Sequence, residues 1–510
     1  MRMPERLRRI SCSAAALVLL SALSDRAGAS PLFELTGSQI GTGSFNARAT
    51  GASAASTYFN PALLAHAPNS VDVGLMVLSD QISMKLDGRT GGIVPQSVGD
   101  RSTIFQRNEE GVLEPIDNAT VPTEWLEKGC ASLDPPCGAP PFGARPRQGE
   151  SSSGETRGYV VVGLVNRILD EHLVLGFHAL LPVGDFTTAN SFYNDEREQF
   201  FSNSLHPEMY SDRLTATSLA FGLGSQILDR LSLGVSFTLN LTNTADARTY
   251  VRDPINYDEL FVATNVEVSA SVSPHFGVVY DALDWLHLSG TVHSEQKFTI
   301  DTGISAALPS GQESDTTRTS VHSILPWTFG LGTAVDLNRG APHEFGVAGS
   351  VRYALWSDYR DRHGERPEDD GQGLGFDNVF SGSVGVRHHS GSVDTFLDLN
   401  YQPTPVPKQI GRKNYVDNDR VGAALGGQYA FSLSKLNFKV GGQLQAHRLL
   451  HRYQRKDDSL MVDELPDDAV NGSGEPIPGA GGLQTNNPGW PGFGSDGWIL
   501  GGSLTASLLY

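Results

Sequence analysis

Leu231-Ser232-Leu233-Gly234-Val235-Ser236-Phe237-Thr238-Leu239-Asn240-Leu241 is the stretch that decides the fold. Every second side chain is large and apolar, and those between are small or polar. A period of two puts the two sets on opposite faces of an extended strand, whereas a helix would scatter the leucines around its circumference. The pattern returns at Leu436, Phe438, Val440 and Leu444, set against Lys435, Asn437, Lys439, Gln443 and Gln445. At the C-terminus Trp498, Leu500, Leu504, Leu508 and Tyr510 oppose Ser503, Thr505 and Ser507.

Fourteen such segments begin near residues 71, 157, 171, 213, 230, 262, 284, 320, 342, 376, 391, 418, 434 and 497. Many exceed ten residues, longer than the roughly five or six usual in soluble sheets. Their connections alternate. Short ones lie near Leu169-Asp170, Leu228-Asp229, Ala282-Leu283, Asn338-Arg339-Gly340, His389-Ser390-Gly391 and Ser432-Leu433. Long ones cover 80–156, 181–212, 243–261, 299–319, 359–375, 402–417 and 450–496. Tight turns on one rim and long loops on the other predict a transmembrane β-barrel, antiparallel and 14-stranded, with the long loops outside the cell. An unpaired peptide group in hydrocarbon costs several kcal/mol, so such a sheet must close on itself. The inward face then tolerates Asp394 and Asp398, opposite Leu397 and Leu399. Trp285, Trp327, Trp356, Trp498 and Tyr510 fall near strand ends and suit the lipid–water interface, with core packing as the alternative for each.

Composition agrees. Charged residues make up 19% and the formal charge is −19, which disfavours nucleic acid as a partner. Residues 1–29 carry five Arg against Glu5 and Asp25, then an apolar stretch to Leu23 and a small-x-small site at Ala27-Gly28-Ala29. They read as a signal peptide, too short to span a bilayer as a helix. Beyond residue 29 no run of about 18 apolar residues exists, which excludes a helical inner-membrane transporter. The two remaining cysteines, Cys130 and Cys137, fit one loop-closing disulfide in an oxidising compartment, and their spacing matches no zinc pattern. Loops 80–156 and 450–496 are acidic, with twelve acids against seven bases and eight against three. A solvated outer face explains this, and divalent bridging to anionic lipopolysaccharide is the sharper alternative. The Gly- and Pro-rich stretch 471–494 reads as loop.

Residues 30–70 differ from all of this. They are rich in Gly and Ala, and between 35 and 70 only Arg48 is charged apart from His66. An exposed tail would carry more charge. The segment therefore reads as a compact plug inside the barrel lumen, with a short helix over 50–57 ended before Pro61. The barrel itself takes 71–510.

Gly51-Ala52-Ser53-Ala54-Ala55-Ser56-Thr57-Tyr58-Phe59-Asn60-Pro61-Ala62-Leu63-Leu64 resembles the hatch of the FadL/TodX family of outer-membrane transporters for long-chain fatty acids and hydrocarbons. So does Tyr401-Gln402-Pro403-Thr404-Pro405-Val406-Pro407 with Asp417-Asn418-Asp419-Arg420. Weaker similarity lies at His293–Phe298, where His293 takes the family's Arg position, and at Tyr353–Tyr359. The resemblance implies a hatch built on Asn60, Pro61 and Ala62, a lateral opening in the wall, and a monomer. It also implies passive diffusion of a hydrophobic small molecule and insertion by the barrel assembly machinery. Two departures stand out: the long first external segment with its cysteine pair, and Tyr510 where the family ends in Phe. A tight turn before the first strand is the plainer role for Asn60-Pro61, and the two roles are compatible. Substrate-binding residues are not marked; Lys435 and Lys439 are candidate lumen cations or ordinary polar-face residues.

Three functions compete. Transport of hydrophobic compounds, long-chain fatty acids foremost, leads. A general porin for small hydrophilic solutes is the alternative. An enzyme is disfavoured, because neither a G-x-S-x-G elbow nor an H-E-x-x-H motif is present, and no cofactor or metal is expected.

Overall fold

A computed structural model describes residues 32–86, 105–107, 112–115, 150–168, 173–183, 206–207, 214, 218–251, 260–307, 313–360, 366–368, 374–410, 415–455 and 492–510. The signal peptide, Cys130 and Cys137 lie outside the described residues.

Alternation in sequence becomes alternation in space. On the first strand Val71, Val73, Leu75 and Val77 are exposed, while Asp72, Met76, Leu78 and Asp80 between them are about 1% exposed. Fourteen strands repeat the scheme: β1 Ser70–Leu86, β2 Glu150–Ile168, β3 Leu173–Val183, β4 Ser218–Leu228, β5 Leu231–Val251, β6 Leu260–Leu283 and β7 Leu286–His293. They continue as β8 Thr328–Leu337, β9 Glu344–Ala354, β10 Val379–Ser390, β11 Val393–Gln402, β12 Arg420–Leu433, β13 Leu436–Arg455 and β14 Gly492–Leu509. Each pairs antiparallel with its sequence neighbour, and β1 pairs with β14 from Ser70↔Leu509 to Leu86↔Phe493, which closes the ring. The chain ends meet there, with Tyr510 N donating to Asn69 O at 3.3 Å.

The outward residues form an apolar belt. Leu331, Leu444 and Leu504 are each more than 70% exposed. Phe177, Phe221 and Phe237 form an aromatic row across β3, β4 and β5. A closed sheet with such a belt has no unpaired edge to present to lipid, and this is the multi-pass architecture of the bacterial outer membrane.

Four expectations change. The eighth segment is broken: Glu313–Leu325 and β8 are separated by Pro326-Trp327, where proline lacks the N–H a ladder needs. The seventh breaks likewise at Ser294-Glu295, after which Gln296–Ala307 leaves β6, pairs with Glu313–Leu325 and lies parallel to β5 along Thr244–Tyr250. Trp356 is 3% exposed in a core cluster, so it is no interface anchor.

Residues 32–69 contain α1 (Leu32–Thr36), α2 (Ser56–Phe59) and two 3-10 turns, Ser44–Asn46 and Pro61–His66. The helix expected over 50–57 is a single turn at 56–59. Gly51 adopts φ +73°, outside helical space, and a side chain there would collide with the Gly43 backbone.

Candidate functional site

The site is built where residues 32–69 meet the inward faces of the strands. Asn60 is extended (φ −158°, ψ 97°) and caps the following 3-10 turn, its Oδ1 accepting from Ala62 N at 3.2 Å. Pro61 holds the first turn position, where its missing N–H is no loss. The Asn60 Nδ2 donates to Arg48 O at 2.9 Å. All three motif residues are buried.

The wall opposite is shaped for this motif. Gly224, Gly234 and Gly277 are register partners across β4, β5 and β6. A methyl group at Gly277 would overlap Asn60 Oδ1, and one at Gly224 or Gly234 would overlap Pro61. Further along, a methyl at Gly176 would strike Thr57 and Leu64, and one at Gly163 would strike Ala54 and Ile40. Glycine is what lets the backbone approach this closely. The sequence carried the signal, because these glycines sit at inward positions of the period-two pattern.

Charge is concentrated at one point. Glu34 Oε1 accepts from Arg48 Nη2 at 2.5 Å and from Tyr58 Oη at 2.7 Å, and Glu34 Oε2 accepts from Arg352 Nη1 on β9. Burial pushes the Tyr58 phenol up to about 12, so it remains a donor, and lowers the Arg48 guanidinium to about 10, still charged at neutral pH. A water-sized cavity beside this cluster is lined by Phe45, Ser350, Ser383 and Asn400.

Histidines pack around Tyr58. Its ring stands edge-on to His275 and His293, with centroids at 5.3 and 5.1 Å, and lies 4.5 Å from Phe33. His293 Nε2 is 3.3 Å from Phe59 O, and His275 Nε2 is 2.6 Å from Thr238 Oγ1. The sequence singled out His293 only by its place in the family resemblance and did not mark His275, His178 or His447, all of which are buried.

The interior has two sectors. On β10–β13 the partners are polar: Arg387 Nη2 donates to Gly43 O at 2.9 Å, Ser383 Oγ to Asn46 Oδ1 at 2.8 Å, and Gln443 Nε2 to Gln39 Oε1 at 2.7 Å. On β1–β3 they are apolar: Met76, Leu78, Tyr159, Val161 and Leu180 share one buried cluster with Leu32, Phe33 and Ile40. Burial of apolar area on that side is non-directional, whereas the polar side fixes specific atom pairs.

The two candidate lysines separate. Lys435 occupies an exposed turn between β12 and β13, not the lumen, because the hairpin turns over at Ser434-Lys435. Lys439 opposes Ser507 in register and is close enough to Asp72 to interact with its carboxylate. The structure does not bring either lysine into the Glu34 cluster; Arg48 and Arg352 are the cations there.

No family model matches the sequence, and no curated protein does. Solved structures do resemble it. A Pseudomonas aeruginosa FadL homologue is 11% identical with a TM-score of 0.49, covering 96% of this chain and 99% of its own. The P. putida toluene transporter TodX is 12% identical with a TM-score of 0.45, covering 95% and 99%. The Ralstonia pickettii toluene transporter TbuX is 10% identical with a TM-score of 0.40, again covering 95% and 99%. At these identities and scores the likeness does not bear on chemistry.

Proposed function

We propose that this protein carries small hydrophobic compounds, long-chain fatty acids foremost, across the outer membrane by passive diffusion, in the manner of the FadL/TodX family. Residues 30–70 act as a hatch within the lumen, with Asn60, Pro61 and Ala62 as its keyed element. The observation that carries the reading is the buried apolar cluster shared by Leu32, Phe33 and Ile40 with the inner faces of β1–β3. An apolar compound gains about 0.8 kcal/mol for each CH₂ removed from water, so the apolar wall that residues 32–69 cover would receive such molecules once the segment draws away from β1–β3. Hydrated ions find no such gain there. Affinity must stay modest, because cargo held too tightly is not released.

The test is uptake. Cells lacking another route and expressing the protein should accumulate a labelled long-chain fatty acid or aromatic hydrocarbon several-fold faster than cells without it. Extraction of the purified protein should yield bound lipid-like molecules. Faster entry of a hydrophilic sugar, with no gain for apolar probes, would sink the proposal in favour of a porin.

A further inference from the structure

We infer that the Glu34 carboxylate is the pin that keeps residues 32–69 docked to the barrel wall, through Arg352 of β9. The inference rests on the hatch reading above and names the contact that decides whether the hatch stays shut.

Within residues 32–69 Glu34 and Arg48 are the only Asp, Glu, Lys or Arg residues. Among the described residues Glu34 joins the segment to an oppositely charged wall group: one of its oxygens is held inside the segment by Arg48 and Tyr58, the other by Arg352. The side chains of Glu34, Arg48 and Arg352 are 11%, 6% and 13% exposed, so water screens the cluster little.

One carboxylate here faces two guanidiniums. Neutralising Glu34 leaves two buried positive charges against each other, and the cost of an uncompensated buried charge far exceeds that of removing a well-matched pair. Undocking lets both reach water. Arg48 also links this pin to the hatch motif, because its carbonyl accepts the Asn60 amide while its guanidinium holds Glu34. A change at Glu34 is therefore transmitted to residues 60–62 through one side chain. The Arg48 Nε has no hydrogen-bond partner among the described residues, and Arg48 lines the adjacent water-sized cavity, where solvent can enter as the pin releases.

The experiment is hydrogen–deuterium exchange over residues 32–62 in the full-length, detergent-solubilised protein. It compares wild type, Glu34→Gln, Arg352→Gln and the double variant, with exchange in β12–β14 as the control for barrel folding. The expected result is protection in wild type and a loss on the order of 100-fold in Glu34→Gln with the barrel unchanged. Arg352→Gln should lose less, because Glu34 and Arg48 remain a neutral pair. The double variant should recover part of the Glu34→Gln loss, since one excess charge is gone. Unchanged protection in Glu34→Gln, or losses that simply add in the double variant, overturn the pin while leaving the hatch intact. Free exchange of residues 32–62 in wild type overturns the hatch reading itself, and the pin with it.

Discussion

The side-chain amide of Asn60 donates to the backbone carbonyl of Arg48, twelve residues earlier, at 2.9 Å, while its own Oδ1 caps the turn at Ala62. One side chain thus closes the loop between the two ends of the Gly/Ala-rich stretch.

Replacing that side chain should loosen the segment without opening the barrel. Asn60→Ala strands the Arg48 carbonyl and the Ala62 N–H, each costing about 1–3 kcal/mol when buried unpaired. Asn60→Asp keeps the cap acceptor but sets a buried carboxylate oxygen against the Arg48 carbonyl, so its effect should be larger still. Limited proteolysis within 32–69 reads this directly. Equal resistance in all three proteins would show that the bond contributes nothing to docking.

The glycine row gives a sharper steric case. Gly277→Ala pushes a methyl into Asn60 Oδ1, and overpacking of this kind costs about 1–3 kcal/mol. Gly340→Ala is the comparison: it sits in a turn at φ +80° with nothing within 4 Å, so its cost of about 1 kcal/mol is local backbone strain. Gly277→Ala should therefore raise protease cleavage in 32–69, and Gly340→Ala should not. Identical cleavage patterns would mean that the close approach is unimportant.

Asp417 predicts a pH dependence. It lies in the loop before β12, and burial pushes its carboxyl up to about 6, against the opposing pull of Arg420 and Arg452. A carboxyl whose folded value exceeds its unfolded one favours the fold while protonated, and that contribution fades as pH rises from about 4 through 6. The loss amounts to roughly 3 kcal/mol at most. Thermal melting of Asp417→Asn should show a flatter dependence between pH 4 and 8, with its gain over wild type largest at pH 8. A parallel pair of pH profiles would count against this.

The lipid-facing belt is tested by one charge. Leu504 is 71% exposed on β14, and arginine there should cost about 2–4 kcal/mol if it lies near the bilayer midplane. Ser503→Ala, facing inward one residue away, should stay within about 0.5 kcal/mol. Reversible folding into lipid vesicles measures both. Comparable costs would mean that the two faces are misassigned.

Strand count, closure and the facing of the strands with the cleanest alternation were legible in the sequence, because a two-residue period next to hydrocarbon permits few alternatives. Leu233 and Val235 are exposed and Ser232 and Ser236 buried, as the alternation predicts. The pairing of Glu34 with Arg352 was not legible. The residues are 318 positions apart, and period two says that a side chain points inward without saying what it meets. Lys435 shows the same limit in reverse: the pattern extended one residue past the strand end, into a turn where facing no longer applies. Trp356 stayed open between lipid and core, because an aromatic near a strand end suits either, and only packing against Tyr359 within the core cluster decides between them.

Under the proposed function, residues 32–69 close the lumen to ions and admit apolar cargo. Planar-bilayer recording of the purified full-length protein tests it most directly. Wild type should be nearly silent, and Glu34→Gln should show brief openings. Large, steady wild-type conductance would contradict it.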